Sequence, residues 1–181
     1  LENIKALIVG GGEVSEAILN KIVSLGTKIY ATYGMTETIT HIALSPLNKS
    51  AGSNRNETIF TALPGVDLSI DNRQCLVINA PHIGTEKLVT NDIVELRAAD
   101  SFKWLARYDN VINSGGVKLI PELIETRYKN SIDREFFVYG LPDKRLGEKL
   151  VLVIEGKESA SILEKIQGHH QELTDSIPKY E

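Results

Sequence analysis

The sequence predicts an α/β fold followed by a smaller α+β unit. Three observations lead there. An apolar run at 4–9, "IKALIV", is followed by a helical repeat and a second strand-like run at 28–33, which is a β-α-β pattern. From 57 to about 105, short strand-like runs alternate with Pro, Gly, Asp and Asn. Past 108 the pattern becomes helix, strand, strand and helix.

The elements follow in order. Residues 4–9 are short, apolar and bounded by glycines, as in a buried strand. Gly10, Gly11 and Gly12 lead into Val14–Leu25, where Val14, Ala17, Ile18, Ile22 and Leu25 recur at helical spacing. Gly26 stands where a glycine commonly closes a helix. Lys28–Tyr33 is the second strand, and the β-α-β unit implies a parallel sheet covered by helices. Residues 45–57 read as a polar loop. The runs "TIFTAL", "VDLSI", "CLVINA", "KLV", "IVEL" and "FKWLA" read as antiparallel strands of a small sheet or distorted barrel. Pro121 opens a helix at its first turn, and Glu122 and Glu125 suit that end. That helix, over 122–130, precedes strands at 134–139 and 149–154. A last helix over about 158–174 has the apolar stripe Ile162, Leu163, Ile166 and Leu173.

Composition narrows the function. The net charge of −4 supplies no overall basic field for nucleic acid or an anionic membrane. Cys75 is the sole cysteine, so no intrachain disulfide forms, and a reducing cytoplasm is the expected location. No apolar run approaches the roughly 20 residues that span a bilayer. The chain opens directly on a strand pattern, without a methionine, and is expected to be a piece of a longer protein.

Several motifs admit both a chemical and a plain reading. Gly10-Gly11-Gly12 after a strand fails the dinucleotide fingerprint, because the third glycine would fall at Ser15. It is a simple strand-to-helix turn or a place where backbone approaches a ligand. Tyr33-Gly34-Met35-Thr36-Glu37 follows the second strand, and ligands of open α/β sheets sit beyond the carboxyl ends of strands. Tyr33 could cover a base, Thr36 could donate to a phosphate, and Glu37 could hold Mg²⁺. Otherwise Thr36 caps a short helix. Asp92 can be a turn former, Arg107 and Asp109 a surface ion pair, and Gly115-Gly116 a hairpin turn. The four histidines show no metal-ligand spacing; His169 and His170 are adjacent, and His41 and His82 are isolated.

Four of these stretches, in order, resemble one family. "YGMTET" at 33–38, "TND" at 90–92, "ARYDNVINSGGVKLIPELIE" at 106–125 and "VYGLPDKRLGEKL" at 138–150 are similar to the adenylate-forming acyl- and aryl-CoA synthetases. The resemblance implies an acid–thiol ligase with ATP, Mg²⁺ and CoA as its cosubstrates. A carboxylate attacks the α-phosphate to give an acyl-adenylate and pyrophosphate, and a thiol then displaces AMP. It implies that residues 1–107 are the C-terminal part of a large domain and 108–181 a small mobile one. By the same resemblance Gly10, Gly11 and Gly12 line the adenine and acyl pocket. Tyr33 and Gly34 lie near adenine, Thr36 contacts the α-phosphate and Glu37 coordinates Mg²⁺. Asp92 and Arg107 hold the ribose hydroxyls. Asp109 is the hinge, and Gly115 and Gly116 border the CoA tunnel. Within the family, the stretches look most like enzymes acting on o-succinylbenzoate in menaquinone biosynthesis.

This sequence departs from the family pattern in places. Leu88 and Asn91 replace the Tyr and Gly of the usual aspartate motif, and Leu123 replaces an acid. The family's phosphate loop and adenylation lysine are not within these residues, so the chain alone is expected not to adenylate. Other acids, a carrier-loading module and a non-catalytic nucleotide binder remain as alternatives.

Overall fold

The computed structural model describes residues 4–12, 14–48, 57–157, 160–162, 164 and 166. The chain divides into two compact units, Leu1–Trp104 and Leu105–Glu181.

The first unit is built on an eight-stranded sheet. Its strands are β1 (Ala6–Val9), β2 (Lys28–Gly34), β3 (His41–Pro46), β4 (Ile59–Ala62), β5 (Asp67–Ile70), β6 (Cys75–Ala80), β7 (Thr85–Ala98) and β8 (Ser101–Arg107). Their order is β1-β2-β3-β4-β8-β7-β6-β5. β1 and β2 run parallel, joined through the helix α1 (Glu16–Ile22). The pairs β2–β3, β3–β4, β4–β8, β5–β6 and β6–β7 are antiparallel. The antiparallel strands therefore continue the sheet of the β-α-β unit. "KLV" and "IVEL", expected as separate strands, are parts of the single strand β7.

The core of this unit forms where β3, β6, β7 and β8 supply apolar residues, β6 being buried on both faces. Ile42, Ala43, Leu76, Ile78, Val94 and Phe102 are buried there. Phe60 and Phe102 are directly opposed across β4 and β8, with ring centroids 5.6 Å apart. Tyr33 meets Phe102 edge-on at 5.0 Å. This trio ties β2, β4 and β8 together by burying large rings in favoured geometry.

Two expectations need correction. β1 is not buried: Leu7 and Ile8 are exposed, Ile8 at 52%. It is the edge strand, with β2 on one side, and α1 leaves Ile18 exposed as well. Gly26 does not close α1, which ends at Ile22 with Val23 in right-handed helical conformation. Past the helix, the Asn48 side chain holds the chain as it enters β2. Its amide nitrogen donates to the carbonyls of Leu25 and Thr27 at 3.0 and 2.7 Å, and its oxygen accepts from the Ile29 amide. Backbone groups beyond the helix are satisfied that way.

The second unit has a four-stranded sheet and one well-defined helix. β9 (Ile112–Ser114) and β10 (Val117–Leu119) form a hairpin, α2 (Pro121–Tyr128) follows, and β11 (Phe136–Asp143) pairs with β12 (Gly147–Ile154). Ile124 and Tyr128 of α2 pack with Ile112, Ile132, Val138 and Ile162. Pro121 stands at the first helical turn, as expected. Ile162 and Ile166 of the expected last helix are helical, with Ile162 buried. Leu163 and Leu173, His169 and His170, and loop residues 49–56 lie outside the described residues.

Phe102 is fully buried at the centre of the aromatic trio. Phe102→Ala is expected to destabilise the chain by about 3–5 kcal/mol, read from the midpoint of urea unfolding.

Candidate functional site

The parallel pairing of β1 and β2 places Val9 opposite Ala31. Gly10–Gly12 and the loop after Gly34 therefore leave the same end of the sheet. A Cβ on Gly10 would lie 2.6 Å from the Thr32 hydroxyl, so the first loop runs close over β2.

Gly34 is fixed by space. β2 and β3 lose register between Tyr33 and Gly34, and Gly34 pairs with His41. A Cβ there would lie 2.6 Å from the Thr40 carbonyl oxygen and 2.8 Å from the His41 Cα. Only glycine lets the two backbones approach this closely.

Thr36-Glu37-Thr38 forms a single 3-10 turn. Thr38 is fully buried and staples it. Its hydroxyl accepts from the Met35 amide at 3.0 Å and lies within donating distance of the Met35 and Thr40 carbonyls, at 2.9 and 2.7 Å. Thr36 and Glu37 are consequently turned outward and exposed. Ile39 takes φ 63°, rare for a β-branched residue, with the Thr40 amide reaching back to the Thr38 carbonyl at 2.6 Å. Such strained turns cluster at ligand-holding segments.

Asp92 meets this loop from β7. It is 4% exposed. The Tyr33 hydroxyl donates to Asp92 Oδ2 at 2.5 Å, and the Trp104 indole N–H donates to Oδ1 at 3.2 Å. Its own amide donates to the Thr90 hydroxyl at 3.1 Å. A buried carboxylate needs such donors, and here they fix its plane.

Asp71 and Arg73 buttress the same strand from the β5–β6 turn. Arg73 Nε donates to Asp71 Oδ2 at 2.8 Å. Partial burial pulls the Asp71 carboxyl up, but the amides of Cys75 and Arg73 and the guanidinium outweigh it, so its pKa lies below the ordinary 3.8.

The second unit holds the remaining candidates. Arg107 pairs with Asp109 at 3.2 Å, both half exposed, as a surface ion pair would. Gly115 and Gly116, at φ 59° and 85°, make the two-residue turn of the β9–β10 hairpin. The Leu146 carbonyl accepts from the Gly115 amide at 2.8 Å. Glu122 Oε1 accepts from the Asn110 side chain at 2.7 Å and the Arg107 amide at 3.4 Å, tying the start of α2 to the turn that contains Asp109.

Gly10–Gly12, Tyr33, Gly34, Thr36, Glu37 and Asp92 all lie in the first unit, and of these Tyr33 and Asp92 are joined by a hydrogen bond. Trp104 and Arg73 were not singled out by sequence, and Glu122 was read only as suiting the start of a helix. Among the described residues no three His, Cys, Asp or Glu side chains form a metal cluster. A magnesium ion held mainly by phosphate and water, with Glu37 as one ligand, fits this donor set. No described helix is long and apolar enough to cross a membrane.

No family model matches the chain. Over 98% of its length it is 25% identical to the 2-succinylbenzoate–CoA ligase of Lactococcus lactis, of which it covers 41%. A solved structure from Dyadobacter fermentans, described as an acyl-CoA synthetase (AMP-forming)/AMP-acid ligase II-like protein, is 36% identical with a TM-score of 0.54. That match covers 97% of this chain and 49% of the other. Its sequence relatives and structural neighbours are adenylate-forming CoA ligases. The o-succinylbenzoate–CoA synthetase of Bacillus subtilis, solved with its acyl-adenylate intermediate, shares the ligase fold with a TM-score of 0.70 at 21% identity. There the match covers 93% of this chain and 40% of that one. The chain therefore spans about two-fifths of the curated ligase and about half of the Dyadobacter one.

Two measurements test the site's internal bonding. Tyr33→Phe keeps the ring and removes the donor, and is expected to cost about 1.5–3 kcal/mol in thermal or urea unfolding, as for a hydrogen bond to a charged group. A carboxylate whose pKa falls on folding contributes stability above its unfolded value and loses it as pH drops through the folded one. The advantage of wild type over Asp71→Asn is therefore expected to be constant at neutral pH and to shrink as pH falls below 3.8.

Proposed function

We propose that this chain is part of an ATP-dependent carboxylate–CoA ligase whose acid is o-succinylbenzoate. The observation that carries the reaction class is the meeting of Asp92 with the Thr36–Glu37 loop through Tyr33. A buried carboxylate, oriented by two donors, stands beside an outward-facing hydroxyl and carboxylate. That is the donor set a nucleotide requires: acceptors for a ribose diol, a hydroxyl for phosphate and an oxygen for a divalent cation. The similarity to 2-succinylbenzoate–CoA ligase along nearly the whole chain supports the acid.

In this reading the Asp92 carboxylate accepts hydrogen bonds from the ribose hydroxyls. Tyr33 fixes that carboxylate and presents the exposed part of its ring to the base. Thr36 donates to an α-phosphate oxygen as the substrate carboxylate attacks phosphorus. The new C(O)O–P bond forms as the P–O bond to pyrophosphate breaks. Glu37 supplies one oxygen ligand to a magnesium ion, whose role when bound is to offset phosphate charge. Gly10–Gly12 lets backbone line the pocket. Arg107 is proposed as a further ribose contact and Asp109 as the hinge. Gly115 and Gly116 are proposed to border the path of the CoA thiol, which displaces AMP from the acyl-adenylate. The soluble cytoplasm is the proposed location.

A second acid remains in play because the 36% identical Dyadobacter protein is named without one. The test takes the full-length gene product with ATP, Mg²⁺ and CoA, and a panel of o-succinylbenzoate, benzoate and fatty acids. AMP and pyrophosphate release with o-succinylbenzoate is the expected result. Release with another acid alone keeps the reaction and discards the substrate, and release with none overturns both. Glu37→Gln is expected to lower kcat by about a hundredfold.

A further inference from the structure

The β6–β7 ladder is interrupted beside Asp92. Cys75 pairs with Ile93 and Val77 with Val89, so β6 advances by two residues where β7 advances by four. Thr90, Asn91 and Asp92 therefore bulge from the ladder. A bulge leaves backbone groups unpaired and re-aims side chains, and it needs substitutes for the lost ladder bonds.

Arg73 supplies them. Its Nη2 donates to the Thr90 carbonyl at 3.2 Å, and its Nη1 donates to the Asn91 side-chain oxygen at 3.0 Å. The guanidinium is itself held by Asp71, which accepts from Nε at 2.8 Å. Asp71 Oδ1 also accepts from the amides of Arg73 and Cys75, at 2.8 and 2.9 Å, so the turn is locked onto the start of β6. The Val94 amide donates to the Gln74 carbonyl at 3.1 Å, closing the far side of the bulge. The fork geometry of arginine makes these bonds at once, and a lysine ammonium would reach fewer of them. Asn91, one of the departures from the family pattern, thereby gains a partner for its side chain.

We propose that Arg73 is a positioning residue that carries the 90–92 bulge and so aims the Asp92 carboxylate. The proposal rests on Asp92 being the ribose contact, and its test separates the two. Trp104 is the sole tryptophan, so the chain gives one indole N–H resonance, and that proton sits on Asp92. The 181-residue chain is labelled with nitrogen-15 and titrated with AMP. Arg73→Met is expected to shift the indole resonance in the free protein and to weaken AMP binding about tenfold, the loss expected for bonds from a charged group. Asn91→Ala, which removes one acceptor from Arg73, is expected to shift it in the same direction by less. It also serves if Arg73→Met fails to fold. Arg97→Met removes an ion pair to Glu57 and Glu95 elsewhere on β7 and is expected to leave the resonance in place. An unmoved indole signal with AMP affinity within twofold of wild type, in either variant, overturns the proposal. If the indole shifts while neither this chain nor the full-length gene product binds AMP, the ribose reading fails and the positioning role of Arg73 stands.

Discussion

Tyr33 meets two demands at once. Its ring belongs to the core, edge-on to Phe102 and close to Phe60. Its hydroxyl belongs to the site, donating to Asp92. One side chain therefore couples the packing of β2, β4 and β8 to the direction of a buried carboxylate on β7. The interior is close-packed, so the ring has little freedom to drift. The position of the carboxylate is inherited from the core, and Trp104 gives it a second fixed point from β8. Thr36 and Glu37 are placed by the same logic, since the fully buried Thr38 leaves the other two members of its turn facing out.

The second unit uses a comparable device at the start of α2. Glu122 lies in the first helical turn, where a negative charge is favoured by the helix dipole. It reaches across to the Arg107 amide and to Asn110, so the segment around Asp109 is tied to a helix rather than left as a loose connection. Leu123 stands where the resembling family has an acid, and the carboxylate one residue earlier takes hold of that segment. Glu125, one turn on, accepts from the Val138 amide at 2.7 Å and seats β11.

Local features were legible in the sequence. The β-α-β unit followed from two apolar runs around a helical repeat. The Gly115-Gly116 hairpin and the Pro121 helix start followed from turn chemistry and the fixed φ of proline. The loop at 33–38 stood out because hydroxyls and an acid are poor material for a core. What could not be read depended on distant partners. The link between α1 and β2 is held by Asn48, which lies far along the chain from Leu25 and Thr27. Arg73 and Trp104 matter through bonds to residues 90–92 that exist only once β7 bulges. One signal for Trp104 was available: it follows Phe102 by two in a strand, so both share a face. The exposure of β1 was not legible, because an apolar run does not reveal whether a second strand will lie beside it.

That exposed strand has a practical corollary. β1 presents unpaired backbone amides and carbonyls along one side, flanked by bare Leu7, Ile8 and Ile18. Such an edge is a template for another strand, and the cheapest one in a tube of purified chain is a second copy. An uncovered edge of this kind favours pairing between copies as concentration rises.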